Sequence, residues 1–486
     1  MNLNLLALAA GLAAVLAGCT MAPKYARPPA PIPATWPAGP AYAPQPATLN
    51  AQLPDWQEFF TDEKLRQIIG TALRNNRDLR VAALNVERAR AMYGIQRAQL
   101  WPTLDAVGSG SKAQLPADLS NSGSRQTIER YDANLGVASW EIDFFGRIRS
   151  FKDRALEEYL ATEQARRSAQ ILLVSGVADA YMALAADREN LALSETTLRA
   201  QQAAYGLVKR RHELGLVPEL EVFRAQTPLE VARRDVAIYT QRVAQDANAL
   251  NLLAGSPIAS ELLPTALSAL PAPQEVSLGL SSEVLLQRPD VLQAENHLKA
   301  ANADIGAARA AFFPRISLTA AVGTASSDLS GLFKSGSGAW SYAPQIVMPI
   351  FDARIWSAHR AAKVQREIAV TQYEQAIQSA FREVADALAV RGTVDQQLAA
   401  QESLVRALAE THRLANSRFE KGIDSYLGVL DAQRSLFAAQ QVLVYLQLEK
   451  RTSAVKLYAV LGGGWHGESA TGSITSASAP HESARN

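Results

Sequence analysis

Few residues in this chain have the types and spacing to do chemistry. His212-Glu213 could open an H-E-x-x-H zinc helix, in which two histidines one turn apart hold the metal, but the second position is Leu216. The six histidines are scattered and read as solvated or helix-packing residues. Gly462-Gly463-Gly464 has no lysine after it and no strand before it, so it reads as a helix C-cap and not a phosphate cradle. The run GSGSK ending at Lys112 lacks the phosphate-loop spacing. Cys19 is the only cysteine, which excludes a disulfide framework and any cysteine-based zinc or iron–sulfur centre. No nucleophile stands in a pattern with a base. The sequence therefore offers no catalytic residues, no metal ligands and no cofactor site.

The 486 residues carry a net charge of +1 without a basic stripe, which argues against a nucleic-acid partner. Residues 5–17 are apolar, too few to span a bilayer but enough for the core of a signal peptide over 1–18. They end in Leu16-Ala17-Gly18-Cys19, which resembles a bacterial lipobox, where the thiol takes a diacylglycerol. No Lys or Arg precedes Leu5, so the usual positive n-region is missing. Thr20 follows the cysteine where the inner-membrane retention signal would be Asp, which favours outer-membrane sorting. No other stretch has 18 consecutive apolar residues, so deeper membrane entry requires β-strands.

Length alone suggests about three domains. Proline argues otherwise: ten of 23 lie in residues 23–54, and 117–217 and 350–479 have none, which predicts very long helices. The chain also matches itself. Residues 75–104 align with 287–316, placing Asp78 on Asp290, Gly94 on Gly306 and Pro102 on Pro314. Residues 211–226 align with 418–433 at a slightly smaller offset, after a longer first loop. Matches in order along the chain indicate a duplication.

Each half predicts a helix (62–101, 283–313), stopped at Trp101-Pro102 or Phe313-Pro314. Two strands follow, 103–113 with 131–143 and 315–326 with 340–350; then a long helix (146–214, 353–421), a glycine turn and a return helix (219–254, 425–461). Val394, Leu398, Gln401, Val405, Leu408, His412 and Ala415 step by four and three, the seam of a coiled coil. The organisation expected is a signal peptide (1–18), an extended lipid-anchored segment (19–61), a first repeat (62–254), a linker (255–282), a second repeat (283–465) and a disordered tail (466–486). A 69-residue helix reaches about 100 Å, long enough for the shorter helices to stack in line beside it. The strands suit tilted membrane strands, but four per chain fall short of the smallest barrels of about eight, and open edges in lipid are costly. The barrel must be shared between chains.

The strings FFPRISLTAAVGTASSDLSGLF, QRPDVLQAENHLKAANADIGAARA, EIDFFGRIRS, YLGVLDAQRSLFAAQQ and LYAVLGGGW resemble the outer membrane factors of tripartite efflux systems, in particular the lipid-anchored NodT/OprM type, with TolC more distant. The resemblance runs from Cys19 to about Trp465. It implies a mainly α fold with a membrane β part: duplicated helix hairpins forming a trimeric α-barrel tunnel, and a shared twelve-stranded transmembrane β-barrel. It also implies a homotrimer in the Gram-negative outer membrane that reaches into the periplasm, a periplasmic adaptor (membrane fusion) protein, and an inner-membrane pump of the RND type. The function implied is passive conduction of drugs or other small molecules to the exterior.

In such proteins the tunnel closes at its periplasmic tips. The resemblance places the apolar gate residue on Leu427 and the acidic ring on Asp431. These share a helix face; leucines around an axis would exclude water, and carboxylates below them would favour cations. The residues alone leave another reading open, with Leu427 packed in a seam and Asp431 solvated. The tip departs from the family pattern at Glu221 (usually Asp), at Phe419 (usually Tyr) and at Glu420 (commonly Arg). A bridge from position 420 to Glu221 would become a repulsion, which leaves Arg418 or Arg224 to lock the tip. Asp424 and the turn glycines Gly215 and Gly422 complete the tip set.

Other functions compete. A non-conducting periplasmic coiled-coil scaffold would not need paired strand-loop-strand insertions. A secreted hydrolase lacks a site. Metal-ion export often uses methionine clusters, and the five methionines here are dispersed. Protein secretion remains a variant of the duct.

Overall fold

The computed structural model describes residues 20–42, 53–275 and 281–464. Cys19, the leader read at 1–18 and the tail read at 466–486 lie outside the described residues. The elements begin with α1 (Trp56–Phe59), α2 (Glu63–Asn75), α3 (Arg77–Ala98), β1 (Asp105–Leu115) and β2 (Gln126–Ile142). The long helix α4 (Arg147–Glu213) and its return α5 (Glu219–Ala254) follow. Then come α6 (Pro289–Ala310), β3 (Arg315–Ser326), β4 (Gly338–Val347), the long α7 (Ala353–Glu420) and its return α8 (Tyr426–Val460).

Two expectations need correction. The helix expected over 62–101 is two helices, because Asn76 is extended (ψ 132°) and its side chain accepts the Leu79 amide at 2.9 Å, capping α3. The helix expected over 283–313 begins only at Pro289, after a 3-10 turn at Ser282–Gln287. Arg288 is extended (ψ 138°), as a residue before proline prefers to be. Arg288 is the counterpart of Asn76 in the repeat, so both halves break at the same place by different chemistry.

The chain forms two compact units, and they are not the two repeats. One comprises Met1–Ala34, Asn75–Gln170 and Leu285–Arg382; the other comprises Thr35–Arg74, Ile171–Val284 and Glu383–Asn486. Each unit draws on both halves, with boundaries inside α4 and α7.

The first unit holds one antiparallel sheet in the order β1-β2-β3-β4, with β1 and β4 as open edges. Cross-strand partners share a face. One face carries the rows Ala106-Leu135-Val322-Trp340, Val137-Ala320-Tyr342, Trp140-Leu318-Pro344 and Ile142-Ile316-Ile346. The opposite face carries Asp105-Gly136-Ala321-Ser341 and Glu141-Ser317-Gln345, with Asn134, Asp132 and Thr319. The apolar face is uncovered: Trp340 is 81% exposed, Tyr342 63% and Val322 62%. A bulge between Val137 and Trp140, with Ser139 at φ 53°, inserts one residue into β2. It moves the apolar positions from odd (Leu135, Val137) to even (Trp140, Ile142) without changing their face.

In the same unit residues 20–27 lie along α6. Met21 O accepts from Arg309 (3.2 Å), Pro23 O from Asn302 (2.7 Å), and Tyr25 donates to Glu295 (3.0 Å). Arg27 pairs with the same buried Glu295 carboxylate. A Cβ on Gly306 would meet the Ala22 backbone at 2.8 Å and Ser150 Oγ at 2.5 Å, so only glycine permits this approach.

The second unit is helical. The seam expected on α7 is present: Val394, Leu398, Gln401, Val405, Leu408, His412 and Ala415 are all shielded, and apart from Glu402 every residue between them is exposed. Gln401 reaches across to the Ala439 carbonyl of α8 (2.8 Å). Beyond α8, Gly462, Gly463 and Gly464 all have positive φ and cap the helix, with the Gly463 amide bonded to Tyr458 O (2.9 Å). The Tyr458 ring stacks on Phe59 at 4.1 Å.

Candidate functional site

The two helix turns of the second unit are built alike. At Gly215 (φ 73°) the Leu216 amide bonds to Arg211 O (2.8 Å) and the Gly215 amide to His212 O (2.7 Å). At Gly422 (φ 72°) the Ile423 amide bonds to Arg418 O and the Gly422 amide to Phe419 O, both 2.9 Å. Left-handed glycine with such a six-to-one bond closes the last carbonyls of a helix. His212, which opens the failed zinc pattern, bonds through Nδ1 to Val217 O (2.9 Å) inside this turn. Among the described residues no group of three or more His, Cys, Asp or Glu is placed to hold a metal.

Above the turns Val208, Ala225, Tyr426 and Val429 form a buried cluster, with Tyr205, Val222, Phe419 and Leu430 packed on it. The Phe419 and Tyr426 rings lie 5.0 Å apart, and the Arg211 guanidinium stands 5.8 Å from the Phe419 ring. Tyr426 and Val429 of α8 belong to this buried cluster. Leu427 itself is 48% exposed.

The tip charges pair within the chain. Arg418 bridges the turn to Asp424 through Nε (2.5 Å) and Nη2 (3.1 Å), and these bonds hold the Asp424 carboxyl below the usual carboxylate range. Arg224 binds Glu221 one turn earlier on α5 (2.8 Å). Glu420 accepts from Asn416 (2.7 Å). Asp431 pairs with Arg434 (2.8 Å), both largely exposed. Sequence reasoning missed Arg434, although its i, i+3 spacing from Asp431 is a legible signal for an ion pair. Such exposed pairs are weak, typically below about 1 kcal/mol, and can exchange partners.

Leu427, Asp431 and Arg224 come together on one groove of about 410 Å³, closed by Leu430, Arg434 and Phe437 of α8 and by Thr227, Pro228, Val231 and Asp235 of α5. Pro228 lies inside α5, where it has no amide hydrogen to give the Arg224 carbonyl. The groove combines an apolar floor with exchangeable charges.

The profile of the family described as outer membrane efflux protein matches residues 68–256 and 280–463. The antibiotic efflux pump outer membrane protein ArpC of Pseudomonas putida is 49% identical over 469 residues, 96% of each chain. The toluene efflux pump outer membrane protein TtgC, also of Pseudomonas putida, shares the same identity and coverage. The open state of the Neisseria gonorrhoeae MtrE outer membrane channel superposes with a TM-score of 0.82 at 36% identity, covering 92% of this chain and 98% of that one. The mainly helical fold with a membrane β part is that of outer-membrane channels. By its duplicated profile, by relatives matched over nearly their whole length and by its fold, this chain belongs to the outer membrane efflux protein family and is an outer-membrane channel protein.

Proposed function

We propose that three copies of this chain close a twelve-stranded barrel in the outer membrane and a helical tunnel in the periplasm, and that small organic molecules leave the cell through it without catalysis. The observation that carries this reading is the sheet of the first unit. It has an apolar face open to lipid, a polar face suited to a water-filled lumen, and two unpaired edges that only another copy can satisfy in a bilayer. The tunnel receives its cargo from a periplasmic adaptor and an inner-membrane pump of the RND type. The substrates named for ArpC and TtgC support organic molecules over metal ions or proteins.

Cys19 is the proposed lipid attachment point. Docking of Met21 beside Arg309, near the end of α6 that leads into β3, supports a membrane-side position for the residues before it. Leu427 is the proposed apolar gate and Asp431 the acidic ring, with Glu221, Arg224, Arg418, Phe419, Glu420 and Asp424 around the Gly215 and Gly422 turns setting how firmly the tips close. The domain reading, with repeats at 62–254 and 283–465 and a linker at 255–282, is likewise proposed. Purified protein in planar bilayers tests the whole. Heat-resistant trimers with stepwise conductance are expected; monomers without conductance would overturn the duct in favour of a scaffold.

A further inference from the structure

α3 and α6 are the same element of the repeat, yet their surroundings differ. α6 is buried along its whole length, from Val291 and Leu298 to Ile305, Gly306 and Ala310, whereas among the described residues of α3 only Val86 is buried. Val81, Leu84, Met92 and Ile95 of α3 are each more than half exposed. α7 is bare in the same way where it leaves β4. Ser357, Ala361, Val364 and Ile368 step by four, three and four along one face of that helix, and all four are exposed. An uncharged stripe of that spacing is the face a helix buries against a partner.

The junction of α4 with α6 supplies the template. A Cβ on Gly306 would stand 2.5 Å from Ser150 Oγ, so these two helices approach closely at that point. Four residues along α4, Arg154 pairs with Asp304 (3.1 Å). At the repeat offsets, 207 for the long helices and 212 for α3 and α6, each member recurs: Ser150 as Ser357, Gly306 as Gly94, Arg154 as Ala361 and Asp304 as Met92. The serines also share a local bond, since Ser150 Oγ donates to Gly146 O (2.6 Å) and Ser357 Oγ to Ala353 O (3.3 Å), at matching positions. Both ends of the ion pair have become apolar together, which leaves no charge without its partner. Within the chain, however, the second contact is not made. A Cβ on Gly94 would meet none of the described residues within 4 Å, and Ser357 is exposed.

The sheet says which molecule can make it. β2 leads into α4 and α6 leads into β3, and β2 pairs with β3, so the helix junction continues a strand pair. β4 leads into α7 and α3 leads into β1, and β4 and β1 are the two open edges. We propose that the face of α7 carrying Ser357, Ala361, Val364 and Ile368 packs on α3 of a second copy of this chain, with Ser357 seated on Gly94. This rests on the reading that three copies close a barrel, and it names the helix contact that continues β4 of one copy into β1 of the next. The two faces differ, so the contact is heterologous and closes a ring, not a two-fold pair. The junction between copies is an apolar version of the one inside each copy, with Met92 and Ala361 at the places of Asp304 and Arg154.

Oxidation of cysteine variants of the full-length protein in outer membranes tests this. The double variant Gly94→Cys with Ser357→Cys should run on denaturing gels at two and three times the mass of the chain and return to one on reduction, because the approach seen at Gly306 is close enough for a disulfide. Each single variant should stay at the mass of one chain, since a heterologous contact never brings a position against itself. A bond formed inside one chain, or a heat-resistant trimer that does not cross-link, would overturn the junction and leave the duct standing. A parent protein that forms no trimer would overturn the duct and the junction together. An exchange of charge decides the matter independently where the cysteines disturb assembly. Met92→Asp alone should lower the temperature at which the trimer dissociates, and adding Ala361→Arg should restore it by rebuilding the Arg154–Asp304 pair between copies. Equal loss in the single and the double variant would overturn the proposal.

Discussion

Leu427 and Asp431 sit one turn apart on α8, Leu427 half exposed and Asp431 largely so, and the exposed pairing of Asp431 with Arg434 is weak. On the proposed reading of Leu427 as the gate, Leu427→Ser should raise single-channel conductance at least about twofold, because a ring of hydroxyls lets water fill the constriction. Asp431→Asn should leave conductance similar but reduce cation preference, read as a reversal potential closer to zero in a salt gradient. On the same proposed reading, an arginine at position 420 would offer Glu221 a cation, so Glu420→Arg should lower conductance by firming the closed tip; unchanged conductance would remove position 420 from the proposed lock. The turn glycines act through backbone geometry. Gly422→Ala forces a Cβ into the left-handed region and should cost about 1–2 kcal/mol, seen as a lower melting temperature, with Gly215→Ala equivalent. These residues differ in how legible they were. The turns announced themselves by glycine at matched places in two repeats, whereas the intrachain bridges Arg418–Asp424 and Arg224–Glu221 depend on which rotamers the turn brings together.

The elements separate into those with a simple period and those that interrupt one. On β3 the apolar Ile316, Leu318, Ala320 and Val322 alternate strictly, and the strand is read from sequence at its observed bounds. On β2 the alternation fails at the bulge, and the strand begins at Gln126, earlier than the expected 131. A one-residue change of phase looks in sequence like loss of pattern. The break at Asn76 was hidden for a similar reason, since a capping side chain inside a periodic run leaves the period intact. The face assignment itself is testable. Val322→Arg, in the middle of the apolar rows, should destabilise the assembled barrel by about 2–4 kcal/mol, whereas Ser341→Arg on the polar face should be tolerated. Unfolding of the reconstituted protein by denaturant compares the two. Equal penalties would mean that the faces are wrongly assigned.

At the scale of the whole molecule, the contact least visible in the sequence is the one between residues 20–27 and α6. Nothing in the Pro/Ala-rich run names its partner, because the bonds join residues about 268–288 positions apart. Burial would push Glu295 up, but the hydrogen bond from Arg27, the Lys299 charge and the Tyr25 hydroxyl outweigh it and hold the carboxyl below its usual range. Its contribution is thus complete above the ordinary Glu value near ~4.3 and fades as pH falls through the lowered one. Limited proteolysis should spare residues 20–34 at pH 7 and cut them in stronger acid. Arg27→Ala should expose them already at pH 7 and cost about 1–3 kcal/mol, because a buried carboxylate loses its main donor. The same distance along the chain imposes an order in time. Residues 20–27 leave the export machinery well before α6 does, and the surface they rest on is not made until Arg309 has emerged. For most of its delivery the chain is a loop still open at its beginning, and this segment can seat only after α6 exists.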